Sequence, residues 1–210
     1  MLTIGCVGAL LASIQSSALI IAFPKLVSDL DASITTIIWV LLSFLLVVAA
    51  VVPITGKLGD IFGQQLLFNF GFLMFTIASF LSGFSQKSAM GYDLIGYRCI
   101  QGIGATFLFS NSVAIITNTF APYKQVGIAQ GAFQVSFAVG SVLGPVIGGA
   151  FAVTDWRWIF WFNVPPCGLC TICGFYFIRN PPWTKKETPW ELVKKFDYLG
   201  SVLLMSFLVL

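Results

Sequence analysis

The chain has 210 residues, of which 58% are hydrophobic and 9% charged. A soluble domain carries roughly 25% charged residues, so a water-facing surface cannot be built from this pool and lipid must cover much of the protein. The net charge of +3 is small and scattered, which gives nucleic acid no footing, and the lack of histidine excludes His-ligated metals and Ser-His or Cys-His catalysis.

A helix crossing the hydrocarbon core needs about 20 apolar residues. Charge-free stretches of that length cover 1–24, 32–56, 61–86, 94–123 (broken once by Arg98), 125–154 and 158–178. A seventh opens at Tyr198 and is still apolar at Leu210. The runs are continuous and about twice the length of barrel strands, which alternate in polarity. The fold class expected is therefore all-α, a polytopic membrane helical bundle. The first stretch lacks the basic opening of a signal peptide and is too long for its apolar core.

Lysines and arginines in the connections set the orientation. Lys57, Lys124, Arg179, Lys185, Lys186, Lys194 and Lys195 fall in alternate connections, whereas Lys25, Lys87 and Arg157 fall in the others. The richer set belongs to the cytoplasm, which places the N-terminus there too. The stretch 179–197, with Pro181, Pro182 and Pro189, resembles a linker between two six-helix units. Its amphipathic part, 190–196, has two readings, a helix on the anionic inner surface and a plain solvated linker.

Taken along the chain, three patterns stand out. The connection after the second span reads Gly56-Lys-Leu-Gly-Asp60-Ile-Phe-Gly63-Gln-Gln. Gly56 and Gly63 let the backbone turn and neighbouring helices approach. Asp60 suits a helix N-terminus, and a bland turn would use the same residues. The fourth span carries Arg98, which within a membrane helix costs several kcal/mol unless it faces protein or water. Of its neighbours on the same helix face only Gln101 offers a polar group, so Arg98 needs another helix, a wet cavity or a substrate, or else snorkels to the outer surface. The fifth span carries Gly131, Gly140, Gly144, Pro145, Gly148 and Gly149. Gly140, Gly144 and Gly148 form a flat strip that permits close helix contact, and Pro145 favours a kink.

The run Cys167-x-x-Cys170-x-x-Cys173 is similar to an iron–sulfur ligand run but has Phe177 where a fourth ligand would fall. It reads as small apolar residues in a membrane helix. No metal or other cofactor is expected, and no nucleophile–base pair marks the chain as an enzyme or supplies a catalytic residue.

Together the three patterns resemble motifs A, B and C of the major facilitator superfamily. The phrase Trp156-Arg-Trp-Ile-Phe-Trp-Phe-Asn163-Val-Pro165 resembles the start of span six in its fourteen-span drug:proton antiporters. The resemblance implies proton-driven export of drugs or small metabolites by two six-helix bundles rocking around a central site. It implies that Arg98 lines the cavity and serves proton coupling, that Asp60 with Gly56 and Gly63 latches the bundles, and that the glycine helix forms the seam between bundles. Gln15, Ser17, Asn69, Gln101, Asn111 and Gln134 are the further polar groups available to face a cavity or to bond helix to helix, and Gln15, Gln101, Asn111 and Gln134 are the ones expected along the substrate and proton path. The partners implied are the bilayer, a small-molecule substrate, protons and a missing C-terminal half, in the plasma membrane or an internal one.

Departures from the family pattern are specific. Ile61, Gln64 and Gln65 stand where basic residues are usual, Gln15 where an acid is usual and Ile20 where an Asn is usual. No carboxylate remains deep in the membrane. An importer or uniporter of the same superfamily, and a half-bundle with an assembly or regulatory role, are the competing readings. The organisation expected is a six-helix bundle over 1–179, a cytoplasmic linker over 180–197 and the start of a seventh helix over 198–210. The family needs twelve or fourteen spans, so a fragment is expected, its start incomplete as well.

Overall fold

The computed structural model describes residues 2–86 and 90–177, nearly all of them helical. Helix α1 (Leu2–Ile21) runs through Ala22 into α2 (Phe23–Leu30). Pro24 is tolerated there because it lies in the first turn, where its missing N–H is not needed. Asp31 ends the helix in the left-handed conformation at φ 50°. Ser33 then caps α3 (Ile34–Phe62), accepting from the Thr36 N–H at 3.1 Å. One residue, Gly63, separates α3 from α4 (Gln64–Ser82), and its φ of 94° is open to glycine alone at little cost. After Gly91 comes α5 (Tyr92–Phe120), then a 3₁₀ turn (Ala121–Tyr123) and α6 (Val126–Thr154). The last elements are α7 (Arg157–Trp161) and α8 (Val164–Phe177).

Six of these stretches are long and apolar enough to cross a bilayer, α7 and α8 together forming the sixth. Two boundaries differ from the sequence expectation. The segment from Gly56 to Phe62 is helix rather than connection, because α3 has 29 residues, about 43 Å at 1.5 Å per residue. That exceeds a hydrocarbon core of about 30 Å, so the last turns, with Lys57 and Asp60, project beyond it without unwinding. The third span accordingly begins at Gln64. The sixth is broken between Trp161 and Val164, where Pro165 and Pro166 remove two backbone donors. The expected linker over 180–197, its amphipathic part and the seventh span lie outside the described residues, as do Lys87 and the basic residues from Arg179 on.

In lipid, helix association depends on close packing rather than on apolar burial. Two tight pairs result. Along α6, a Cβ on Gly144 would lie 2.6 Å from Ser17 Cβ and 2.7 Å from the Ile14 carbonyl oxygen of α1, and one on Gly148 would lie 2.6 Å from Ala18 Cα. Gly140 sits equally close to Leu10, and Ser13 and Ser141 hydrogen-bond across the seam at 2.7 Å. Between α4 and α5, Gly71 and Gly104 do the same, each with less than 3 Å to the other helix's backbone for an added Cβ. Hydroxyls that would otherwise be stranded in hydrocarbon bond back along their own helices, as Thr55, Thr76, Ser82, Thr106 and Ser112 do. The outward faces carry exposed Ile38, Trp39, Leu42 and Leu45 on α3 and Val135, Val142 and Val146 on α6, a surface suited to lipid.

Candidate functional site

Arg98 lies in the second turn of α5 and is 2% exposed. Its Nη1 donates to Gln101 Oε1 at 2.8 Å, and Gln101 Nε2 donates to Ser79 Oγ of α4 at 2.7 Å. All three side chains are buried. The guanidinium lies between two rings, 5.2 Å from the centroid of Phe44 (α3) and 5.6 Å from that of Phe160 (α7), an arrangement that holds a cation by the rings' negative faces. Its Nε has no partner, and among the described residues no carboxylate pairs with it. The five described acids, Asp29, Asp31, Asp60, Asp93 and Asp155, all lie at helix ends or in connections and none is buried. Arg98 is thus the fully buried charge of the described bundle.

Phe160 joins this cluster to a second. Its carbonyl accepts the Asn163 N–H at 3.2 Å. Asn163, in the break between α7 and α8, donates from Nδ2 to Gln15 Oε1 of α1 at 2.8 Å and to the Ile159 carbonyl at 3.1 Å. Both amides are buried, leaving Gln15 Nε2 and Asn163 Oδ1 unpartnered. The helix break has a local cause in the two prolines, and it lets an asparagine enter the interior in place of a helical backbone turn.

The other expected site residues are dispersed. Asn111 is buried on α5 and donates to the Phe107 carbonyl at 2.8 Å. It lies ten residues from Gln101, about 15 Å along the axis, and its Oδ1 fills the space above Gly59. Gln134 is exposed on α6 and does not join the cluster. At the α3–α4 turn, Asn118 Nδ2 of α5 donates to Gln64 Oε1 at 3.0 Å, and Gln64 Nε2 donates to Asp60 Oδ1 at 3.4 Å. Asp60 therefore meets a neighbouring side chain, and Gly63 makes the turn, whereas nothing approaches Gly56. The strip of Gly140, Gly144 and Gly148 packs on α1 of the same bundle, where backbone already sits in the place of an added side chain. Gly131 and Pro145 are exposed and Gly149 half-buried, on other faces of α6.

Ser79, Asn163, Phe44 and Phe160 were not evident as site residues from the sequence. A serine and two phenylalanines in apolar spans carry no distinguishing signal, but an asparagine directly before Val-Pro-Pro does mark a polar group at a helix break.

Comparison with known proteins agrees with this architecture. The sequence profile of the Major Facilitator Superfamily matches residues 5–210. The chain is 33% identical to the riboflavin transporter RibZ of Clostridioides difficile over 206 residues, 98% of this chain and 43% of that protein. It is 34% identical to multidrug resistance protein 3 of Bacillus subtilis over 205 residues, 96% of this chain and 37% of that one. It is 32% identical to the MFS-type transporter TwmF of Talaromyces wortmannii over 198 residues, 94% and 35% respectively. The chain thus spans less than half the length of these relatives. Its fold is similar to that of a D-xylose-proton symporter, with a TM-score of 0.70 at 17% identity, covering 97% of this chain and 53% of that structure. Six apolar spans, a helix pair zipped by glycines, a buried arginine and a profile match over nearly the whole sequence lead to one assignment: the chain belongs to the Major Facilitator Superfamily.

Proposed function

We propose that this chain is the N-terminal half of a proton-driven exporter of drugs or small metabolites, its bundle (1–179) joined through a cytoplasmic linker (180–197) to a second bundle that begins at 198. The observation that carries the reading is the Arg98–Gln101–Ser79 network, a charge held in the bundle interior by neutral partners. Intramembrane charge is expensive and is a default pointer to a solute or proton pathway. Alternating access then moves two bundles about that pathway. The glycine-rich α6 and the similarity to a multidrug resistance protein favour export. The cytoplasmic latch is Asp60 with Gly56 and Gly63, and the N-terminus lies in the cytoplasm of a plasma-membrane protein.

The test is drug uptake by inverted vesicles, acid inside, carrying the whole reading frame. Uptake that collapses with the pH gradient is expected. Arg98→Ala should abolish the coupled uptake, and Arg98→Lys should restore part of it, since an ammonium lacks the planar fork of donors. Full gradient-driven uptake by Arg98→Ala would remove arginine from the coupling path. A second reading, an uncoupled uniporter or importer, is favoured by Gln15, a neutral amide where the family usually has an acid. Equilibrating flux indifferent to the gradient would establish it.

A further inference from the structure

The transport reading leaves the chemical class of the solute open, and the interior charge bears on it. Arg98 carries five N–H donors, and among the described residues Nη1 donates to Gln101. Nε is buried and unpartnered. The partners that hold it are an amide and two phenylalanine rings, which steady a cation without neutralising it. Across Phe160 lie two further neutral groups, Gln15 and Asn163, again with one donor and one acceptor unspent. No described acid is buried, and the buried polar groups of the described residues therefore sum to one positive charge in the low-dielectric interior. A cationic solute would be repelled from such a site and, among the described residues, would find no buried carboxylate to meet it. An oxyanion would neutralise the arginine and take up its unspent donors in the paired geometry that guanidinium and carboxylate share.

We propose, building on the transport reading, that the solute carries an anionic oxygen group, a carboxylate or phosphate, for which Arg98 is the counter-ion, and that the Gln15–Asn163 amide pair reads a neutral polar group on the same molecule. Gln15 is then a specificity determinant: an acid there would confer the capacity to accept cations.

The experiment uses the full-length protein in proteoliposomes and compares three charge classes of aromatic solute. The probes are salicylate and p-aminobenzoate as anions, their methyl esters as neutral analogues, and ethidium and tetraphenylphosphonium as cations. Thermal stabilisation of the detergent-purified protein by each probe is read in parallel. Above the passive leak of protein-free liposomes, the anions are expected to move and to stabilise, the esters at least roughly tenfold less, as for loss of a charged hydrogen-bond pair. Read by thermal stabilisation, Arg98→Lys should retain the preference for anions and Arg98→Gln should lose it. Gln15→Glu should lower anion flux and raise cation flux. Movement of cations or esters in preference to anions overturns the proposal while leaving the transport reading intact. A Gln15→Glu variant with unaltered charge preference overturns the role of Gln15. If no probe moves or stabilises while gradient-driven drug uptake persists, the proposal alone fails; if that uptake is absent too, the transport reading fails with it.

Discussion

Asn163 donates its side-chain N–H to Gln15 Oε1 over 2.8 Å, tying the break between α7 and α8 to the middle of α1 across 148 residues of sequence. In hydrocarbon such a bond has no water to compete for its members, but the unfolded chain in the membrane also finds partners, so its net worth is modest. A double-mutant cycle with Asn163→Ala and Gln15→Ala, read by unfolding in mixed micelles, should give a coupling of about 0.6 kcal/mol and no more than about 1.7 kcal/mol. Additive single losses would place the two amides apart.

The seam between α1 and α6 is set by absent side chains. Gly144→Leu should prevent α1 from docking, since an added Cβ already meets Ser17 Cβ at 2.6 Å and the Ile14 carbonyl at 2.7 Å. The expected result is a low level of protein in the membrane and an aggregated profile on size-exclusion chromatography, a folding lesion rather than a selective loss of transport. Gly131→Ala is the contrast: nothing lies within 4 Å of its added Cβ, and helix propensity favours alanine. It should fold as well as the parent. A well-behaved Gly144→Leu protein would break the seam as described.

At the α3–α4 turn the backbone of Gly63 adopts φ 94° and ψ 124°, a region that side chains with a Cβ avoid. Gly63→Ala should destabilise the protein by about 1–3 kcal/mol. The neighbouring Gln64→Ala, which removes the exposed bonds to Asp60 and Asn118, should stay within about 0.5 kcal/mol. Thermal melts of the two variants side by side decide this, and equal losses would locate the constraint in the side-chain chain instead.

The orientation follows from the basic residues of the connections. In a cysteine-free background, Lys124→Cys should react with a membrane-impermeant maleimide only after the cytoplasmic side is opened. Lys25→Cys, half-buried beside Asp29 at the other end of the bundle, should react from outside in intact cells. Labelling of both from one side would invert the span count.

The spans themselves were legible because charge is excluded from hydrocarbon whatever the fold, so the charge-free stretches had to be helices. Their ends were less so. Lys57 and Asp60 looked like a connection, yet a 29-residue helix simply outruns the bilayer, and charge marks the membrane surface rather than the helix terminus. The split of the sixth span was available in Pro165 and Pro166 but hidden by the unbroken apolar composition around them. Within the site, Gln101 was readable because i and i+3 share a helix face. Ser79 and Asn163 were not, since their role depends on which helix lies alongside, a relation of three-dimensional packing. For the same reason the glycine strip of α6 announced a close neighbour without saying that the neighbour was α1.

That neighbour has a consequence for how the protein is made. Ser13 of α1 and Ser141 of α6 lie 128 residues apart and end up 2.7 Å from one another. At translation rates of about 5–20 residues per second, roughly 6–25 s pass between the synthesis of the first residue and of the second. Throughout that interval α1 sits in the bilayer with Ser13 and Ser17 facing lipid or whatever shelters them, and the groove along Leu10, Ile14 and Ala18 unfilled. Helix α1 thus waits for α6 before its seam can close, and nascent chains stopped before α6 should be the preferred substrates of membrane chaperones and of quality-control proteolysis.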